Sequence, residues 1–466
     1  MTLKRAWLIA FTAVLIAVGV IKGPAAFAAG GLSGVTFSGS PQTGGATATW
    51  TVGFTTSSGQ AGALGAGDTI TVTFNSAFGV NGVAVSPGSG LAGCTATAST
   101  AGATITITLA GSTCTHLKGT GATLNLAGVT NAAQAASYPA SSFSVATVQD
   151  GSASPAGPVV IGVGAAAKLA FTTAPPTTGT AGSPLATFKV SVQDAGGNTV
   201  STATDPVTLT VASGPSGGTF SSAPATYTNV AASAGVATFT GVALNLAGTY
   251  TLTAARSGLT PATSGAVVIS AATGSKLAFV QGPSGGFAGT ALAPAITVQV
   301  QDQNGNAVSA AGVVVTLTPS AGQIDSGASA TTNSSGRATF SGVVINTAAL
   351  GLTLTASASG LTSTAASASF NVTVAVAGGA ALTDTTSDGS GSGVKAVAYY
   401  YCTGYSGTCS SSTWTLIGSS TDAATGYQVT WTSTPTPGAY RIVATSTDNV
   451  TNLSQSTTAT PVTVTS

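Results

Sequence analysis

The chain has 466 residues with ten Asp, no Glu, eleven Lys plus Arg and a single His, His116. With 5% charged residues and 62 Gly it lacks the long charged side chains that cover helical surfaces, while its abundant Thr and Val favour a pleated sheet. This composition excludes a basic nucleic-acid footprint, any His cluster for metal, and any catalytic carboxylate pair other than two Asp.

The first segment reads as a targeting sequence. "MTLKR" is a basic start, "AWLIAFTAVLIAVGVI" an apolar run, and Ala26-Phe27-Ala28 a small-x-small cleavage site. The run is shorter than the roughly 20 residues a helix needs to span a bilayer, so residues 1–29 are expected to be a signal peptide and the mature chain to carry no stable membrane span. Loss of Lys4, Arg5 and Lys22 leaves eight cationic side chains against ten Asp. Export implies an oxidising compartment. Among three possible connectivities, proximity favours Cys94 with Cys114 and Cys402 with Cys409.

Residues 30–163 form the first expected domain. "GATATWTVGFTTSSG" and "LGAGDTITVTF" read as strand, turn, strand, and the Cys94–Cys114 bridge ties two later segments. The centre of the chain then repeats itself. "KLAF" at Lys168 recurs at Lys276, a shift of 108, and "VSVQDAGGNTV" from Val190 recurs as "VQVQDQNGNAV" from Val298. "GVATFTGVAL" from Gly235 matches "GRATFSGVVI" from Gly336 at a shift of 101. Two homologous domains follow, 164–271 and 272–376, the second with a shorter central loop. Each alternates with period two: Phe188, Val190 and Val192 face one way, Lys189, Ser191 and Gln193 the other. About seven short strands per hundred residues is the pattern of an immunoglobulin-like sandwich. From 377 to 466 the style changes to "SGVKAVAYYYCTGYSGTC" and "YQVTWTSTPTPGAYRIVATSTDNVTN". The expected architecture is all-β: about four tandem immunoglobulin-like β-sandwiches behind a signal peptide.

The run "VQVQDQNGNAV…VVVTLTPSAGQI…TTNSSGRATFSGVVI…LTLTASASG" resembles bacterial Ig-like repeats of the invasin/intimin type over residues 165–375. The last segment is similar to a different bacterial Ig-like repeat, and the first to a β-sandwich module of secreted bacterial repeat proteins. The resemblance implies stalks or spacers in cell-surface or secreted proteins and says nothing of a ligand.

The repeated Asp-Gly-Asn loop offers Asp194 with Asn198 and Asp302 with Asn306 as oxygen ligands, yet holds one carboxylate where a calcium loop gathers several. A hairpin turn explains every position, since Asp bonds its own backbone and Gly197, Gly305 and Asn tolerate left-handed φ. Asp384, Asp388 and Asp448 are the better calcium candidates; otherwise no cofactor is expected. Tyr401, Tyr405 and Trp414, around the Cys402–Cys409 loop, are candidate sugar-stacking rings, although Tyr399 and Tyr401 share a strand face that is expected to be core. His116 reads as an ordinary exposed or half-buried side chain, and no catalytic residue is assigned. The N-x-S/T stretches at Asn333, Asn371, Asn449 and Asn452 read as chance in a Ser/Thr-rich chain.

The reading is therefore a non-enzymatic secreted or cell-surface stalk or spacer. An adhesin with a Tyr/Trp tip for glycan or protein, and the non-catalytic part of a larger hydrolase, are the alternatives. Partners would be cell-envelope components, other surface proteins or glycans, with self-association through sheet edges and no nucleic acid. A calcium site on Asp384, Asp388 and Asp448 would raise the melting temperature of the C-terminal domain at millimolar calcium; no shift dismisses that site.

Overall fold

The computed structural model describes residues 31–59, 62–384, 393–407, 409–433, 435–449, 452–455 and 459–465; residues 1–29, the expected signal peptide, and Asp388 lie outside them. Among these residues there is no α-helix, only short 3-10 turns such as Pro224–Thr226, and the remainder is strand and turn. No helix among them is long and apolar enough to cross a membrane.

Buried apolar side chains gather in chain order. A first core runs from Leu32 to Ile161, a second from Leu169 to Ile269, and a third from Leu277 to Val372. The last segment holds two smaller clusters, one around Trp431, Tyr440 and Val462 and one around Val397 and Tyr399. We call these modules 1 to 4.

Module 1 stacks two antiparallel sheets. In one, Ser33–Ser40, Thr47–Thr55, Gly121–Thr130 and Ala84–Pro87 lie side by side; in the other, Ser144–Thr147, Thr69–Thr73, Thr104–Ala110 and Thr95–Ala101 do. Alternation does the sorting. Ile70 and Val72, and Ile105, Ile107 and Leu109, point inward while the Thr between them face out. Phe37, Trp50, Phe74, Phe78 and Phe143 pack at the centre with centroids 5.3–6.0 Å apart, edge to face in every cited pair but the tilted Phe74–Phe78. The Cys94–Cys114 bond is formed, as is Cys402–Cys409 in module 4.

Modules 2 and 3 repeat one plan. In module 2 the strand Phe188–Gln193 pairs with Lys168–Thr173 on one side and Val236–Phe239 on the other. In module 3 Ile296–Gln301 pairs with Lys276–Gln281 and Arg337–Phe340 in the same way. The facing sheet of each is built on Gly248–Ala255 and Leu354–Ser357. Period two predicts Ser191 and its counterpart Gln299 on an outward face, but both are buried, at 0% and 4% exposure. The strand passes beneath the chain that follows its own turn. Val200 N–H bonds back to Val192 O and Val308 N–H to Val300 O, and in module 3 Val308 O comes within 3.4 Å of Gln299 Nε2 on the face expected to be outward. Gln299 answers this with its carboxamide, donating to Ser335 O at 2.9 Å and Gly336 O at 3.0 Å, whereas the Ser191 hydroxyl is buried without a partner.

Module 4 joins differently. The strand Phe370–Val376 takes Gly286–Phe287 and Ala349–Leu352 of module 3 as neighbours, then continues into parallel pairing of Val374–Val376 with Val462–Val464. One sheet thus runs through the junction and on to Gly438–Asp448, Val394–Thr403 and Thr415–Ser420.

The Ser191/Gln299 pair gives a test by thermal unfolding. Gln299→Ala strands buried carbonyls and is expected to cost about 2 kcal/mol, while Ser191→Ala removes an unpaired hydroxyl and is expected to be neutral or stabilising by up to about 1 kcal/mol. Equal losses from both would show that the covering chain does not seal the strand.

The candidate functional site: a buried Asp-Asn clamp between modules

The twice-written loop is a hairpin turn in its backbone. Asp194 N–H bonds Asn198 O at 2.9 Å and Gly197 N–H bonds Asp194 O at 3.2 Å; Asp302 and Asn306 match this at 3.0 Å, with Gly305 N–H to Asp302 O at 3.1 Å. Gly197 and Gly305 take φ of +94° and +90°, which a side chain would oppose. The side chains go further than a turn requires. Both carboxylates are at 0% exposure. Asp194 Oδ1 accepts from Asn198 N–H at 2.8 Å, and Oδ2 accepts from Gly164 N–H, in the linker from module 1, at 2.8 Å. Asp302 Oδ1 accepts from Asn304 and Asn306 N–H at 2.9 Å, and its Oδ2 from the linker amide of Ala272 at 2.9 Å.

The Asn side chain reaches across to the preceding module. Asn198 Nδ2 donates to Ala133 O at 2.7 Å while its Oδ1 accepts from Ala135 N–H at 2.9 Å. Asn306 Nδ2 donates to Asn245 O at 3.0 Å and Oδ1 accepts from Ala247 N–H at 2.7 Å. The carboxamide grips a carbonyl and the amide two residues on, as a strand neighbour would. Nδ2 also bonds the Asp carboxylate, at 3.0 Å in module 2 and 2.8 Å in module 3. Lys168 Nζ and Lys276 Nζ close the turns from outside, on Ala195 O and Gln303 O.

Small residues make the approach close enough. A Cβ on Gly44 would lie 2.4 Å from Asn198 Nδ2, one on Gly196 would lie 2.2 Å from Ala133 O, and one on Gly182 would lie 2.7 Å from Asn304 Nδ2. The first joint is braced from the core of module 1. Buried Trp50 donates Nε1–H to Asn131 Oδ1 at 2.9 Å, and Asn131 Nδ2 donates to Pro41 O and Thr43 O, beside Gly44.

N–H donors therefore fill the positions around these carboxylates that a cation would need. Burial raises the pKa of both Asp; the hydrogen bonds, for Asp194 from Gly164, Asn198 and Gly197, and for Asp302 from Asn306, Ala272 and Asn304, outweigh it and hold both below the usual carboxylate range. Asp448 makes the same side-chain bonds to Asn452, accepting from its N–H at 2.7 Å and from its Nδ2 at 2.8 Å. Asp384 N–H bonds Gly426 O. Burial, and after it the Asp384 charge, pushes the Tyr399 phenol up to about 12, which keeps it a donor to Tyr427 O at 3.1 Å.

The candidate rings separate onto different surfaces. Tyr401 packs into the core against Trp431, at 5.4 Å, and Tyr440, at 5.6 Å. Trp414 pairs with Tyr400 on the opposite face, at 5.0 Å, with its indole N–H buried and unpartnered. The Tyr405 hydroxyl bonds Thr463, whose own hydroxyl meets Thr373 at the entry from module 3. Arg441 holds the Tyr405 loop through Gly404 O, Ser406 O and Gly407 O.

His116 differs from expectation. It is 3% exposed, with Nδ1 2.7 Å from Gly90 O and Nε2 3.1 Å from Thr56 Oγ1. A carbonyl only accepts, so Nδ1 carries the proton that meets Gly90 O, and Nε2 shares a hydrogen bond with the Thr56 hydroxyl. A short apolar-flanked loop in sequence gives no sign that two other loops close over it. The pair resembles a nucleophile and base, but Thr56 is itself 3% exposed, and a carbonyl stands where a triad has its carboxylate. The ring cross-links three loops.

No family model matches the chain, and no curated protein matches it. Among solved structures, the Escherichia coli adhesin FdeC aligns at 17% identity over 74% of this chain and 99% of that one, with a TM-score of 0.24. The chicken CNTN1 FN1–FN3 domains align at 9% identity over 65% and 98% of the two chains, TM-score 0.25. Extracellular domains 3–5 of Drosophila OTK do so at 10% identity over 65% and 100%, TM-score 0.22. At these scores the likenesses carry no argument about arrangement or activity.

Asn198→Ala removes both bonds to module 1 and part of the support of a buried carboxylate, an expected loss of about 3 kcal/mol at the joint. Hydrogen exchange should speed up at Ala135 and Gly164 while amides of the module cores hold; unchanged exchange at both would refute the clamp. Because the folded pKa values are depressed, the clamp's contribution is complete above the unfolded value of about 3.9 and is lost as pH falls through the lower folded value. The same amides should therefore lose protection only in that acid window.

Proposed function

We propose that this chain is a non-enzymatic, exported spacer of the cell surface, whose modules are locked in series. The observation that carries the reading is the recurrence of one clamp at two successive junctions, Asp194/Asn198 and Asp302/Asn306, each gripping the linker and the preceding module. A flexible tether needs no such device; a stalk that must hold its contents at a set distance does. The continuous strand Phe370–Val376 serves the same end at the third junction. Export and an extracellular location are supported by the two disulfides and by the leader-like start of the sequence. The invasin/intimin-type resemblance of the two central repeats agrees with this role.

A second reading, adhesion through the C-terminal module, is favoured by the Tyr400–Trp414 pair, two half-buried rings on the face away from Trp431. Tyr401 does not contribute to it, being packed against Trp431.

Small-angle scattering of the full chain should give one sharply defined maximum dimension. In the Asn198→Ala/Asn306→Ala double variant the distribution should broaden, with the melting temperatures of modules 1 and 4 nearly unchanged. A wild-type profile as broad as the double variant's would overturn the spacer reading, and Trp414-dependent binding on a glycan array would establish the adhesin in its place.

A further inference from the structure

Module 3 keeps, with no partner for it among the described residues, the seat by which module 2 holds its successor. In module 2 that seat is framed by Leu185 N–H to Val242 O at 2.7 Å and Gly182 N–H to Leu244 O at 2.8 Å. Leu292 N–H to Val343 O at 2.8 Å and Gly289 N–H to Ile345 O at 3.0 Å reproduce the frame in module 3. Asn346 O and Ala348 N–H therefore stand where Asn245 O and Ala247 N–H stand. The latter two are taken by Asn306. The former two have no partner among the described residues, and Asn346 and Thr347 are exposed. The glycine that permits close approach is retained as well. A Cβ on Gly182 would strike Asn304 of the next module at 2.7 Å, whereas on Gly289 its nearest neighbour would be Asn346 Oδ1 at 3.8 Å. Space that the next module fills around Gly182 has no such occupant around Gly289 among the described residues, because module 4 enters on a continuous strand; half-buried Ala348 lines a cleft with Ala459 and Pro461 of that module.

The fitting counterpart is also in this chain. Asn452 is exposed, with its N–H and Nδ2 held by Asp448 as in the other two turns, and its Oδ1 meets no donor among the described residues. We propose that two copies of this chain associate through reciprocal clamps, the Asn452 carboxamide of each copy on Asn346 O and Ala348 N–H of the other. A second copy is the occupant because the chain's own Asn452 belongs to a module fixed by the parallel pairing Val374–Val376 with Val462–Val464 and by the Thr373–Thr463 bond of 2.8 Å. In that arrangement it does not meet the seat. Donor and acceptor lie on adjoining modules, so a two-fold axis satisfies both at once, and closing one clamp raises the effective concentration for the other. With 5% charged residues, little electrostatic repulsion opposes contact between copies. The inference goes beyond the spacer reading, which stands for one copy or two.

Sedimentation equilibrium of the full chain tests it. Wild type should reach twice the chain mass with rising concentration, and Asn452→Ala and Ala348→Pro should each weaken association at least tenfold. Asn198→Ala, which alters a joint already occupied, should leave association unchanged. Because proline could disturb the loop, Thr347→Cys with Leu453→Cys, which keeps the Asn452 carboxamide and uses its exposed neighbour, provides a second measurement: oxidation should give a covalent dimer on a non-reducing gel. A single mass at every concentration, association indifferent to Asn452→Ala, or a cross-link closing within one chain would each overturn the proposal. A stiff monomer refutes only the association, and a flexible dimer refutes only the spacer.

Discussion

A carboxylate with no access to water must find its compensation in fixed dipoles, and Asp194 and Asp302 are both in that position. Each collects N–H groups from its own turn and from the linker, while the neighbouring Asn extends the network to the module before. Removing any one source leaves buried charge poorly answered, at a cost of order 1–3 kcal/mol for each hydrogen bond lost. Turn, linker and neighbouring loop are therefore most stable when assembled together. Modules that could each fold on their own apolar core acquire a definite relation to the next through two side chains.

Polar side chains elsewhere act in the same manner. Among the described residues one salt bridge occurs, Arg256 with Asp205, so ionic networks contribute little. Carboxamides and hydroxyls tie loops instead: Asn131 under Trp50, Gln299 beneath its covering chain, Thr56 on His116, and Thr373, Thr463 and Tyr405 at the entry to module 4. A surface poor in charge leaves these internal bonds as the main source of specificity. The third junction replaces the clamp with a hydrogen-bond ladder, and among the described residues no carboxamide takes the seat at Asn346.

Much of the fold was legible in the sequence. Alternation placed Phe188, Val190 and Val192 in a core, and short spacing paired the four cysteines as the structure pairs them. It failed at Ser191 and Gln299, because a period of two reports which residues share a face and cannot report what later chain covers that face. His116 was misread for the same reason: its two partners lie 26 and 60 residues away in sequence. Of the rings, strand parity correctly separated Tyr400 from Tyr399 and Tyr401, while the stacking of Tyr401 on Trp431 depends on the facing sheet.

The Asp-x-x-x-Asn loop shows where the division falls. Residue order by itself determined the all-β class, the internal repeat and the turn, since these follow from side-chain branching, periodicity and glycine's tolerance of positive φ. That the turn is a joint was decided only in three dimensions. Its Asn is bonded to a carbonyl and an amide of the preceding module, and backbone groups leave no residue-type signature by which a sequence could announce them.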